Sequence, residues 1–148
     1  MEIVRTNSDA PDFKILAAEL ELELKIRDGE NYQQLAELNA VDKLPFVVIA
    51  YVGNNAVGCG GLYPYNENEM ELKRMYVQPS YRGKNVAAAI LKELEEWCNE
   101  LHIYSIVLET GMNQPEAIAF YKKNNYSIIS NFGKYINNEN SVCFRKDL

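Results

Sequence analysis

The segment Val77-Gln78-Pro79-Ser80-Tyr81-Arg82-Gly83-Lys84-Asn85-Val86-Ala87 constrains the chain most, because it joins the end of one apolar run to the start of a long amphipathic one. From Val86 onward the apolar residues Ala87, Ile90, Leu91, Leu94, Trp97, Cys98 and Leu101 recur at i, i+3, i+4 spacing. Lys92, Glu93, Glu95, Glu96 and Glu100 take the opposite face, so the pattern predicts a helix buried along one stripe. Upstream, residues 70–77 read as extended, and Pro79 stops them from continuing as a paired strand. A strand therefore runs into a glycine-containing basic turn that opens a helix.

That junction is an anion site on physical grounds. The first turn of a helix presents backbone N–H groups with no internal partner, and the peptide dipoles place partial positive charge at the same end. Gly83 permits close backbone approach, Asn85 tolerates positive φ, and Arg82 and Lys84 add full charges beside the amides.

The rest of the chain supplies a sheet and its covering helices. Residues 2–5 read as a strand. Residues 12–27 carry a helical stripe of Phe13, Leu16, Ala17, Leu20 and Leu24, although Glu19-Leu20-Glu21-Leu22-Glu23-Leu24 also alternates with period two. Their length without glycine or proline favours a helix. A short second helix is expected over residues 32–38. Residues 46–52 and 56–63 form a hairpin about Gly53-Asn54-Asn55, and Gly58, Gly60 and Gly61 in its second strand point to a bend or a bulky neighbour. A strand over 104–109 follows the long helix. Next comes a helix with Pro115 in its first turn and Asn125 in the left-handed position that ends it, then strands over 126–129 and 141–144. These elements add up to a mixed α/β sheet, mostly antiparallel, with helices on both faces.

Arg82-Gly83-Lys84-Asn85-Val86-Ala87, after a strand ending in Val-x-Pro, resembles the coenzyme A signature of the GNAT superfamily of N-acetyltransferases, with Asn85 where that family usually has glycine. A second stretch, from Gln114-Pro115-Glu116-Ala117 through Phe120-Tyr121 to Asn125-Tyr126, is similar to the family's Asn-x-x-Ala-x-x-Leu-Tyr-x-x-x-Gly-Phe run. Gln114 stands there for asparagine and Asn125 for glycine. Order and spacing agree over residues 47–126.

The resemblance implies a single GNAT-like domain over residues 1–148 that takes acetyl-CoA as co-substrate and an amine, small molecule or peptide, as acceptor. Its cofactor contacts would be Met75, Tyr76 and Val77 on the strand, Arg82, Gly83, Lys84, Asn85, Val86 and Ala87 at the turn, and Gln114, Ala117 and Tyr121 on the later helix. Met75 N–H would polarise the thioester carbonyl. Tyr121 would be the general acid, since a phenol with an ordinary pKa of about 10 keeps its proton at neutral pH. No paired Cys/His or Ser/His/Asp arrangement stands out, which suits direct attack rather than an acyl-enzyme. For the base, Glu67, Glu69 and Glu71 share a face at period two, and Glu71 stands nearest the expected thioester; Glu109, ending the next strand, is the alternative. A non-catalytic acyl-CoA sensing module would need Arg82 to Ala87 but not Tyr121.

Bulk properties bound the remaining choices. A chain of 148 residues with 47% hydrophobic content suits one domain. A formal charge of −6 argues against nucleic acid and anionic membranes as partners. No apolar run approaches the roughly 20 residues of a membrane span, and Met1 to Arg5 is not a signal peptide, so the expected location is the cytoplasm. Cys59, Cys98 and Cys143 read as reduced core residues, and with His102 the single histidine no metal is expected. Two acidic sets, Glu19, Glu21, Glu23, Asp28 and Glu30 and then Glu67, Glu69 and Glu71, suggest a cationic acceptor. Oligomeric state is open, a homodimer included.

Overall fold

The computed structural model describes residues 1–33 and 43–148. Its elements are β1 (Glu2–Thr6), α1 (Pro11–Asp28), β2 (Phe46–Val52), β3 (Asn55–Pro64), β4 (Glu69–Val77), α2 (Val86–Glu100), β5 (Ser105–Gly111), α3 (Pro115–Lys123), β6 (Ser127–Ile129) and β7 (Ser141–Asp147). Most of the helix expected over residues 32–38 lies outside the described residues. Among the described residues no helix is long and apolar enough to cross a membrane.

The seven strands form one sheet in the order β1-β2-β3-β4-β5-β7-β6. Every pairing is antiparallel except β4 with β5, as the turn-connected early strands lead one to expect. Alternation along the strands sorts the core into two layers. Val47 and Ile49 of β2 face α1, where Phe13, Leu16 and Leu20 bury against them with Cys59 and Tyr76. Val48 and Ala50 face the opposite way, toward Ile90, Leu91 and Leu94 of α2 and Tyr121 of α3. The ambiguous alternation in α1 is thus resolved by three-dimensional packing: Leu20 is buried, while Leu22 is 66% exposed.

Gly58 and Gly60 of β3 are where α2 crosses the sheet. A Cβ at Gly58 would come within 3.0 Å of Ile90 Cδ1, and one at Gly60 within 3.1 Å of both Ile90 and Leu94. Across from Gly60, two residues of β4 oppose one of β3, because Cys59 pairs with Tyr76 and Gly61 with Lys73. The extra residue makes a bulge, and Arg74 takes a left-handed backbone there (φ 60). Bulges bend a strand and end its pairing. Pairing of β4 with β5 accordingly runs only from Glu69 to Leu72 against Ser105 to Leu108, after which the two strands part.

Candidate active site

The parting of β4 and β5 opens a wedge in the middle of the sheet, and a cleft of about 560 Å³ fills it. One wall is β4 from Leu72 to Val77, whose edge toward β5 carries backbone groups that no strand pairs. The other is β5 from Glu109 to Gly111 with Gln114, Ala117 and Tyr121 of the following helix. The floor of the far end is the turn Tyr81-Arg82-Gly83 and the first residues of α2. Leu20, Leu24 and Asp28 of α1 close it from the opposite face of the sheet.

The turn has the geometry an anion needs. Gly83 (φ 74) and Asn85 (φ 66) are both left-handed, and a Cβ at Gly83 would meet nothing within 4 Å. Asn85 is the N-cap residue of α2 without a side-chain capping bond, and the first intrahelical bond across it is Ala89 N to Asn85 O. The amides of Val86, Ala87 and Ala88 therefore open toward the cleft without an intrahelical acceptor. Arg82 donates through Nε to Val77 O at 2.8 Å and pairs with Glu23 of α1 through both terminal nitrogens, at 2.8 and 2.9 Å. Lys84 is not on the cleft wall; its ammonium lies 5.6 Å from the Tyr81 ring.

Tyr121 lines the cleft and is 6% exposed, packed edge-on against Phe120 and Tyr126 and tilted against Phe144. Burial alone pushes its phenol above the ordinary value, so the proton stays in place at any physiological pH. Gln114 caps α3, its N–H bonded to Gly111 O at 3.1 Å.

Like Lys84, Glu71 is a sequence-expected site residue that the structure does not bring to the cleft. It pairs with Val107, just before the strands part, and its carboxylate is buried. Tyr135 O–H donates to it at 2.6 Å, and Lys73 Nζ stands 3.2 Å away while donating to the Tyr135 oxygen at 3.0 Å. Burial lowers the Lys73 ammonium, and the nearby Glu71 opposes that shift. Glu109 does line the cleft, and its carboxylate accepts from Ser141 Oγ.

Most of the acidic α1 face is already partnered. Glu19 accepts from Tyr76 O–H and Gln78 Nε2, Glu21 from Tyr32 O–H with Arg74 beside it, and Glu23 from Arg82. Asp28 differs. It is 6% exposed and lines the cleft, and its Oδ1 is buried without a hydrogen-bond partner among the described residues. Burial raises its pKa, the neighbouring Arg27 opposes this, and Glu21 adds to it. In sequence Asp28-Gly29 reads as an ordinary helix-ending turn, so nothing local sets it apart.

A family model described as acetyltransferase (GNAT) family matches residues 13–126. An IAA acetyltransferase of Azospirillum brasilense is 31% identical over 102 residues, covering 68% of this chain and 67% of that protein. Among solved structures, a Klebsiella pneumoniae protein described as an acyl-CoA N-acyltransferase superposes with a TM-score of 0.80 at 27% identity, covering 99% of this chain and 97% of that one. A PaiA N-acetyltransferase of Thermoplasma acidophilum, in complex with coenzyme A, gives 0.73 at 18% identity over the full length of both chains. The chain belongs to the GNAT family of acetyltransferases.

Proposed function

We propose that the chain moves the acetyl group of acetyl-CoA to an amine by direct attack of the amine nitrogen on the thioester. The observation that carries this reading is the wedge itself. A free strand edge leads without interruption from an uncapped helix N-terminus to a buried phenol. The amides at the start of α2, with Arg82, Gly83 and Asn85, suit a pyrophosphate, and Lys84 adds charge from the rim. The edge at Met75, Tyr76 and Val77 suits an amide-bearing arm laid down as an added strand, with Gln114 and Ala117 on the far wall. When bound, acetyl-CoA supplies an acyl carbon already activated as a thioester.

In this reading Met75 N–H, beside the bulge, stabilises the carbonyl oxygen as it gains charge. Tyr121 holds its proton for the departing sulfur. Direct attack is favoured because the cysteines are poor candidates for an acyl-enzyme. Burial pushes Cys59 and Cys98 up to about 12 and Cys143 up to about 11, and none of the three lines the cleft. Glu71, held by Tyr135 and Lys73, is an indirect base at most, acting through those groups or water. The test is thiol release from acetyl-CoA with a panel of primary amines, and mass spectrometry of the product. Amine-dependent release with N-acetyl product is expected; saturable coenzyme A binding without turnover on any amine would instead mark a sensing module.

A further inference from the structure

We propose that Asp28 is the acceptor-site carboxylate, its Oδ1 receiving the N–H of a cationic primary amine at the end of β5 beside Gly111. This rests on the amine-acceptor reading above and names the group that binds the amine and takes its proton.

Among the described residues, five carboxylates line the cleft: Glu21, Glu23, Asp28, Glu109 and Glu116. Glu21 and Glu23 are engaged as described, Glu109 accepts from Ser141, and Glu116 pairs with Arg27. Among the described residues, Asp28 alone of these has a buried oxygen left without a hydrogen-bond partner. A buried carboxylate in that condition is costly, and this one also stands at the C-terminal end of α1, where the helix dipole disfavours negative charge. A cationic donor placed beside it would relieve all of these costs at once.

There is room for that donor. A Cβ built on Gly111 would lie 3.8 Å from Asp28 Oδ1 and 3.3 Å from Gln114 Nε2, so the missing side chain leaves a small polar space that both groups border. Three residues along each chain beyond the last β4–β5 pair, Leu72 with Leu108, lie Met75 and Gly111, on the two walls of the wedge. Met75 is where the carbonyl is read to sit. Asp28 comes from the α1 face of the sheet and Tyr121 from the α2 and α3 face. The proton acceptor for the nucleophile and the proton donor for the leaving group therefore flank the reacting carbon from opposite sides.

The protons balance. The acceptor arrives as R–NH3+ and gives up one proton to bulk water before its lone pair can bond to the carbonyl carbon. As the C–N bond forms the nitrogen becomes positive again and far more acidic, and Asp28 takes the second proton. The electron pair pushed onto the carbonyl oxygen returns as the C–S bond breaks, and the sulfur leaves with the proton of Tyr121. The products are the N-acetyl amine and the free thiol, with protons passed to solvent from Asp28 and regained by Tyr121.

The experiment compares the wild-type chain with Asp28→Asn and Gly111→Ala, using putrescine, spermidine, lysinamide and kanamycin as acceptors and calorimetry with coenzyme A. For the best wild-type amine, Asp28→Asn should lower kcat/KM about thirtyfold or more and flatten the acid limb of its pH profile. Gly111→Ala should raise the acceptor KM severalfold by filling the space. Both should bind coenzyme A within about twofold of wild type. Wild-type turnover with kcat/KM for Asp28→Asn within threefold of it would overturn the assignment alone. So would a tenfold loss of coenzyme A affinity with acceptor KM unchanged, which would give the carboxylate to the pantetheine arm. Failure of the wild-type chain to acetylate any of the amines would overturn the amine-acceptor reading itself, and Asp28's role with it.

Discussion

Glu23 holds the side chain that the pyrophosphate is read to need, so removing its charge should tighten the binding of coenzyme A. Arg82 meets Glu23 with two prongs, at 2.8 and 2.9 Å, and the two side chains are 38% and 27% exposed. Partly exposed ion pairs contribute about 0.2–1 kcal/mol, and a two-pronged arginine pair belongs near the top of that range. To reach a phosphate the guanidinium must release at least one prong, and that loss comes out of the binding free energy. Glu23→Gln removes it, for a gain of about 1 kcal/mol, or about fivefold in Kd. Relief of repulsion adds less: two unit charges about 8 Å apart in water interact by about 0.5 kcal/mol, and physiological salt screens more than half of it. The expected result is a Kd for coenzyme A about five- to eightfold lower in Glu23→Gln, measured by calorimetry, with the difference shrinking in high salt. Equal or weaker binding would mean that Arg82 stays on Glu23 when the ligand is bound, and the phosphate assignment of Arg82 would fail.

Tyr121→Phe keeps the ring packing but removes the proton donor, so kcat should fall roughly a hundredfold while coenzyme A affinity changes little; unchanged turnover would reject the acid role. Arg82→Glu should abolish most of the thermal protection that acetyl-CoA gives, and equal protection in the variant would contradict the site. Asn85→Gly should keep or improve affinity, because glycine adopts φ 66 without cost; a large loss would show that the Asn85 side chain itself makes a contact. Asp28 faces Arg27 and Glu21 on its own helix and shares the cleft with Glu109, Glu116 and Tyr32. With its pKa raised, the folded state keeps a proton that the unfolded chain has lost, so stability falls as pH rises through that window. Asp28→Asn should therefore raise Tm at neutral pH and lose that advantage below about pH 4, and denaturation across pH that showed a constant difference would refute the buried charge.

The helix stripe from Val86 and the extended run ending at Val77 were legible because local periodicity sets them, and in the structure the helix starts at Val86 and the strand ends at Val77. The choice of helix for residues 12–27 was legible from length, since the period-two leucines alone pointed the other way. Glu71 and Lys73 were not separable in the same way. They share a face of β4, and only the parallel pairing with a strand 36 residues later decides that one lies before the parting and the other lines the cleft. The bulge at Arg74 has no glycine to announce it. The acidic pattern of α1 showed charge but not its partners, so it could not reveal that Glu19, Glu21 and Glu23 are spoken for while Asp28 Oδ1 has no hydrogen-bond partner among the described residues.

In the reaction proposed above, a cleft lined from both faces of a sheet can receive one substrate from each. Its walls include α1 residues from one face and α2 and α3 residues from the other, so the two substrates need not share a route. Neither product then has to wait for the other to leave, and the acetylated acceptor can depart while the thiol is still held at the basic turn. In steady-state terms, coenzyme A should compete with acetyl-CoA yet inhibit non-competitively against the acceptor. A molecule that joins the two substrates covalently would have to thread the sheet, so it should associate slowly and, once seated, be slow to leave.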